Sequence, residues 1–258
     1  MTDTEPALTT PSMRLDGKIA MITGAGRGLG RACALALAQA GAEVALVSRT
    51  RSELEALAGE IQQDGGKAFP VVCDVTDTQA VERAVAALPG LDILVNNAGI
   101  NFPEPFTEVS EDHFNRVMAL NVRAVFMVSQ AASRRMIADG LGGSIINMSS
   151  QMGHVGAPMR TVYCGSKHAV EGMTKAMGAE LATHKIRVNS IGPTFILTPA
   201  TRPFFENKAF NDDTMGRIPL GRLGELEDIM GAVVFLASPA AALITGASLV
   251  IDGGWTAI

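Results

Sequence analysis

The sequence predicts an α/β protein: one domain built as a doubly wound sheet of seven parallel strands with helices on both faces. Three observations carry this. The 258 residues are 47% apolar and 18% charged, which suits one large core and excludes disorder as the main state. Short apolar runs alternate with longer segments of helical period along the whole chain, the pattern of a parallel sheet covered on both sides. No linker, repeat or low-complexity block divides residues 13–258, whereas residues 1–12 are rich in Thr and Pro and read as a loose tail, not a signal peptide.

Each element follows from its composition. Ile19 to Thr23 is a short apolar run ending in a glycine turn, so it is the first strand, and the Ala-rich Leu29 to Gln39 is the helix that follows. Glu43 to Ser48 and Ala68 to Cys73 are the next two strands, separated by a helix over Ser52 to Gln63. A helix from Thr78 to Ala87 leads to a fourth strand, Ile93 to Asn96, and a long helix over Glu111 to Ile137 leads to the fifth, Ser144 to Ser149. Thr161 to Thr183 is helical, Arg187 to Ile191 extended, Glu225 to Leu236 helical, and Ser248 to Ile251 closes the sheet. Several helices begin on Ser, Thr or Asp suited to capping. The long connection within residues 194–224 mixes Pro, Phe, Asn and Asp and is the expected substrate lid.

Charge and cysteine content narrow the classes of partner. The 21 basic and 26 acidic residues leave a net charge of −5, which gives no reason to expect nucleic acid or an anionic membrane. Met230 to Ile251 is long enough to span a bilayer, but Ser238, Pro239, Thr245 and Gly246 break it into helix, turn and strand. Cys33, Cys73 and Cys164 are odd in number and lack metal spacing, so reduced thiols in a cytoplasmic setting are expected. The four histidines are scattered, and no metal site is expected.

The first strand runs into Thr23-Gly24-Ala25-Gly26-Arg27-Gly28-Leu29-Gly30 and then a helix. Glycines there let the backbone turn sharply and approach a pyrophosphate at a helix N-terminus, where free N–H groups and the helix dipole favour an anion. The glycines at 24, 28 and 30 have the spacing TGxxxGxG. Together with Asn96-Asn97-Ala98-Gly99 and Tyr163-Cys164-Gly165-Ser166-Lys167, this chain resembles the short-chain dehydrogenase/reductase family from about Leu15 to Trp255.

That resemblance implies a Rossmann-like fold, a nicotinamide cofactor and a set of site residues. Gly24, Arg27, Gly28, Leu29 and Gly30 would border the diphosphate; Asp74 and Val75 the adenine; Pro193, Ile196 and Thr198 the carboxamide; and Asn97, Ala98 and Gly99 would also bind the cofactor. At the end of the second strand an acid would bind the ribose hydroxyl of NAD, but this chain has Ser48 and Arg49. Ser48 cannot repel a 2′-phosphate, and Arg49 with Arg27 can bind one, so NADP(H) is the expected cofactor.

Tyr163, the only tyrosine, lies four residues before Lys167, which puts both on one helix face; the ammonium is expected to lower the phenol's pKa. The resemblance makes Tyr163 the acid/base, Lys167 its tuner and ribose contact, Ser150 the hydrogen-bond donor to the substrate oxygen, and Asn121 the holder of a relay water. A serine hydrolase is excluded by the absence of GxSxG. One departure stands out: after Pro193 the family usually has glycine, and Thr194 removes its conformational freedom.

The expected reaction interconverts a secondary alcohol and a ketone on a sugar acid, polyol or related hydroxy compound, as in gluconate 5-dehydrogenase-like members. Gln151, His154 and Arg160 are the candidate polar substrate contacts and Phe204 an apolar one. A 3-oxoacyl carrier-protein reductase and a reductase of small or cyclic ketones are the alternatives; a non-enzymatic nucleotide-binding regulator would not need the whole tetrad. Gly165, Ala169, Gly172, Ala176 and Ala179 form a stripe of small residues opposite the Tyr163 face, which suits a second copy of the chain and a homotetramer, or else a helix of the same chain.

Overall fold

A computed structural model describes residues 8–199 and 201–257. Residues 1–7 of the expected tail, Ala200 of the expected lid and the last residue lie outside the described residues.

Seven strands form one all-parallel sheet in the order β3-β2-β1-β4-β5-β6-β7. They are β1 (Ile19–Thr23), β2 (Glu43–Ser48), β3 (Lys67–Val72), β4 (Ile93–Asn96), β5 (Gly143–Met148), β6 (Ile186–Pro193) and β7 (Ser248–Ile251). The main helices are α1 (Gly28–Gln39), α2 (Arg51–Gln63), α3 (Thr78–Ala86), α4 (Glu111–Met118), α5 (Val125–Asp139), α6 (Thr161–Glu180), α7 (Arg202–Phe205), α8 (Lys208–Gly216) and α9 (Glu227–Ala237).

Strand side chains point alternately to the two faces. Ala20, Ile22, Val44, Leu46 and Val95 pack with Leu37 of α1, Leu54 of α2 and Val233 of α9. Met21, Ala45, Val47 and Leu94 pack on the other face with Val81 of α3 and Val128 and Met136 of α5. The strand order reverses direction between β1 and β4, and a crevice for ligands opens at the carboxyl ends of such strands.

Two expectations change. The helix expected over Glu111 to Ile137 is split: α4 and α5 are joined by a π-helical segment, Ala119–Ala124, centred near Asn121. The long connection after β6 carries α7 and α8. They are held by aromatic packing of Phe195 on Phe205, Phe210 and Trp255, at ring-centre distances of 5.7, 5.6 and 5.9 Å. Among the described residues, no helix is long and apolar enough to cross a membrane.

The middle of the sheet carries a buried polar chain. Asn96 of β4 lies opposite Asn147 of β5 and donates to its Oδ1 at 2.9 Å and to Ser129 Oγ of α5 at 2.8 Å. Asn147 donates in turn to Thr174 Oγ1 of α6 at 2.9 Å. Asn147 is therefore a strand-to-helix clamp. Its replacement by Ala leaves polar groups on both sides unpaired, and a loss of about 2–4 kcal/mol is expected, read as a Tm fall of several degrees in a thermal melt.

Candidate active site

The site is assembled at the carboxyl edge of the sheet. Gly24 and Gly28 have φ of 65° and 55°, a region that other residues rarely adopt. Gly30 is required for a different reason: a Cβ there would sit 2.1 Å from the carbonyl oxygen of Gly24. Arg27 caps α1 with no side-chain bond to the helix, and the first turn holds no acid, so the helix end favours an anion.

Thr23 joins the glycine turn to the end of β4. Its Oγ1 accepts from the Asn97 and Ala98 N–H groups at 3.0 and 3.2 Å, while Asn97 Nδ2 donates to the carbonyls of Thr23 and Gly24. Gly99 follows, where a Cβ would come within 3.3 Å of Asn121 Oδ1. In the sequence the only signal for this role of Thr23 is a hydroxyl at a strand end.

At the end of β2, Ser48 Oγ accepts from the Thr50 N–H at 3.2 Å. Arg49 is exposed and only loosely paired with Asp74, at 3.9 Å. Asp74 Oδ1 is occupied by the Thr76 N–H and hydroxyl, at 2.9 and 2.7 Å, and Val75 beside it is buried.

Asn121 is fully buried. Its side chain accepts from the Ile100 N–H at 2.9 Å and donates to the Ile100 carbonyl at 2.9 Å and to Ser166 Oγ at 3.1 Å. Ser166 donates to the Tyr163 carbonyl at 2.7 Å, so the π-helical segment is tied to α6 beside the tyrosine. Such segments are frequent at functional sites.

Ser150, just past β5, is buried. Its Oγ donates to Gln151 Oε1 at 2.8 Å, accepts from the Met152 N–H at 3.1 Å and approaches the Pro193 carbonyl at 3.5 Å. It also stands close enough to the Tyr163 hydroxyl to favour the phenolate. Lys167 is buried on the same face of α6 and donates to the Met148 carbonyl at 2.8 Å.

The electrostatics correct the expectation for the tyrosine. Burial raises the Tyr163 pKa, and the groups that oppose it are Ser150 and Arg160. The Lys167 Nζ lies 5.6 Å from the centre of the tyrosine ring, and its own pKa is pushed down to about 8 by burial, with Glu171 working against the fall. At the pH where the phenol ionises, the lysine has lost the charge that was expected to help.

Glu171 was missed by sequence reasoning. It lies one helical turn beyond Lys167, is buried, and accepts from Ser190 Oγ of β6 at 2.8 Å and Ser248 Oγ of β7 at 3.2 Å. An i, i+4 relation to Lys167 was its only trace. His154, expected at the substrate, belongs to this cluster instead: its Nε2 lies 3.0 Å from Ser248 Oγ and 3.4 Å from Glu171 Oε1.

The other substrate candidates divide. Gln151 is buried against Ser150, and Arg160 is half-buried with its charge facing Tyr163 and Cys164. Phe204 is half exposed and packs on Phe210 in the lid, 6.5 Å between ring centres, rather than on the tyrosine. Pro193 ends β6; Ile196 is buried and bridges to Gly224; Thr198 Oγ1 accepts from the Thr201 N–H at 3.2 Å. Thr194 is not at positive φ, so the backbone there does not need a glycine.

Residues 24–256 match a family model described as enoyl-(acyl carrier protein) reductase. The chain belongs to the short-chain dehydrogenase/reductase family. It is 39% identical to L-xylulose reductase of Bos taurus over 95% of this chain and 99% of the bovine protein. It is also 39% identical to D-threitol dehydrogenase of Mycolicibacterium smegmatis, over 99% of each. Among solved structures it resembles a gluconate 5-dehydrogenase from Burkholderia cenocepacia in complex with NADP and tartrate. That match has a TM-score of 0.92 and 37% identity, and covers 95% of this chain and 98% of the other.

The single tyrosine gives a direct check of the electrostatics. Ultraviolet titration of the free protein is expected to show phenolate only above the ordinary midpoint of about 10. Lys167→Met is expected to move that midpoint by less than about half a unit, because the lysine is already neutral there.

Proposed function

We propose that this protein is an NADP(H)-dependent oxidoreductase that interconverts a secondary alcohol and a ketone on a small polyol, sugar or sugar acid. The observation that carries the reading is the grouping of Ser150, Tyr163 and buried Lys167 at the carboxyl edge of the sheet, with Asn121 tied to the same helix. The relatives named for L-xylulose, D-threitol and gluconate support the substrate class.

The residues present fit the dinucleotide. Gly28 leaves open space where a Cβ would be, next to an uncapped helix end that suits a diphosphate. Neutral Ser48, with Arg49 next to it in the chain and Arg27 in the glycine turn, suits a 2′-phosphate. Arg49 would then exchange its loose contact with Asp74 for a stronger partner. Asp74 and Val75 would border the adenine, Asn97, Ala98 and Gly99 the central riboses, and Pro193, Ile196 and Thr198 the carboxamide. When bound, the cofactor supplies or accepts the hydride.

The protein's part is to hold the reacting oxygen and move its proton. In the reducing direction Tyr163 donates a proton to the carbonyl oxygen as hydride reaches the carbon, giving the alcohol and a phenolate that is reprotonated from solvent. Ser150 turns its Oγ–H from Gln151 to the same oxygen, freeing the Gln151 amide for a substrate hydroxyl. Lys167, fixed by its donation to the Met148 carbonyl, would hold the cofactor's ribose beside Tyr163. Asn121, buried in the π turn and tied to α6 through Ser166, is the residue suited to holding a relay water, as the family resemblance implies. Arg160, whose charge meets no carboxylate among the described residues, is the group suited to an acidic substrate.

Assembly and setting follow the same reading. Gly165, Gly172, Ala176 and Ala179 are exposed on α6, and a Cβ at either glycine would meet nothing. Among the described residues no helix covers these positions, which supports packing against a second copy and a homotetramer. The cysteines are buried and unpaired, in keeping with a cytoplasmic enzyme.

Steady-state assays with ketoses, sugar acids, plain ketones and acyl thioesters test the function. NADPH is expected to be preferred over NADH, and Arg49→Asp to reverse or abolish that preference. Tyr163→Phe is expected to lower kcat by about 10²–10⁴-fold with little change in NADPH affinity. Preference for acyl thioesters would favour the carrier-protein reading; equal use of NADH would remove the role given to Arg49.

A further inference from the structure

The carboxylate of Glu171 has no part in the proposed chemistry, yet it is buried beside it. Glu171 is 5% exposed and accepts from Ser190 Oγ of β6 and Ser248 Oγ of β7. Neutral hydroxyls orient a carboxylate but do not balance its charge, and an unbalanced charge out of water is costly. A glutamine could bond the same two hydroxyls without that cost. Support of the fold alone therefore does not account for a charge at this position.

Two cationic groups stand near it. His154, from the turn after β5, brings its Nε2 to 3.4 Å from Glu171 Oε1, but its side chain is 30% exposed to water. Lys167 lies one turn before Glu171 on α6 and is equally buried, at 5% exposure. Side chains on a helix lean toward its N-terminus, so Glu171 covers the turn that carries Lys167. The stem of Glu171 also runs beside the backbone of the lysine: a Cβ on Gly153 would lie 3.1 Å both from Glu171 Cγ and from the Lys167 carbonyl. Lys167 directs an N–H to the Met148 carbonyl, not to the carboxylate. The two charges thus attract across one buried helical turn, where little water screens them.

The other charges around α6 are solvated or already paired. The neighbouring α4 leaves Glu111, Asp112 and Arg116 exposed and pairs His113 with Glu104. Arg187 of β6 donates to the carbonyls of Leu236 and Ser238. On α6 itself His168 and Lys175 are exposed, and Arg160, at its start, acts on Tyr163. Burial pushes the Lys167 pKa down to about 8, and Glu171 is the charge that opposes the fall.

We propose that Glu171 is a positioning residue acting through Lys167: its buried carboxylate is the countercharge that lets the lysine meet its ligand as an ammonium. With one N–H on the Met148 carbonyl, an ammonium keeps two for ribose hydroxyls, and a neutral amine keeps one. The consequence for the cofactor rests on the dinucleotide-dependent reading above; the effect on the lysine does not.

NMR titration of the cofactor-free protein, labelled with ¹³C at the lysine Cε, follows Lys167 directly, and Lys167→Met assigns its signal. The wild-type midpoint is expected near 8. Glu171→Gln is expected to lower it by about one unit or more, a tenfold weaker hold on the proton. Ser248→Ala removes a support and keeps the charge, so its midpoint should stay within about half a unit of wild type. If Glu171→Gln does not fold, Glu171→Met removes the charge without burying a new polar group, and the same fall is expected.

The reaction gives a second readout. Burial raises the Tyr163 pKa, so the phenol stays neutral in this range, and kcat/KM for NADPH should fall as pH rises through the Lys167 midpoint. In Glu171→Gln that fall should begin about one unit lower, and below both midpoints the variant should approach wild type. An unmoved Lys167 signal in a folded Glu171→Gln or Glu171→Met would overturn the proposal. So would a wild-type midpoint below about 7, at which no ammonium is held, or a signal that moves while the pH profile does not. A wild type with no NADPH-dependent turnover would instead overturn the cofactor reading, and the NMR titration would still decide the role of Glu171.

Discussion

The buried ammonium of Lys167 is the constraint around which the site is arranged. A cation out of water must be given hydrogen bonds and countercharge or lose its proton. Its donation to the Met148 carbonyl fixes α6 on the end of β5, two residues before Ser150. Behind it, Glu171 is held by hydroxyls from β6 and β7, so one helix is tied to three neighbouring strands. His154 completes that support from the turn after β5. These contacts hold the helix that carries Tyr163, while burial leaves Lys167 close to losing its charge.

A second set of contacts, independent of charge, fixes the other half of the crevice. Thr23 and Asn97 bind the glycine turn to the end of β4, and Gly30 lets α1 start against the Gly24 carbonyl. The turn can then leave its helix N–H groups uncapped without losing its shape. Asn121 joins the two halves: its side chain grips the backbone at Ile100, after β4, and Ser166 on α6. The π turn allows this by displacing a helix that would otherwise run straight from Glu111 to Asp139.

Much of this was legible in the sequence because parallel strands buried on both faces must be apolar throughout. The limits of β1, β2, β4 and β7 agree with the apolar runs to the residue. Glycine spacing and the Tyr163–Lys167 interval were legible for a related reason, since each is local along the chain. What escaped depends on distant partners. The π turn leaves the helical side-chain pattern around Asn121 unbroken. The helices α7 and α8 are short, and aromatic packing on Phe195 and Trp255 holds them, not an amphipathic period. His154 lies four residues from Ser150 yet turns toward a carboxylate seventeen residues further on, in α6. The direction of the Tyr163 shift required its burial, which no spacing reveals.

The proposed chemistry therefore needs the bound dinucleotide to make the phenol a usable base, since the protein alone holds it in the neutral form. Ultraviolet titration of the single tyrosine with saturating NADP⁺, against the free protein, measures this most directly. A midpoint brought below about 10 by the added positive charge is the expected result. A midpoint unchanged by NADP⁺, at a concentration shown to saturate binding, would contradict a base completed by the cofactor.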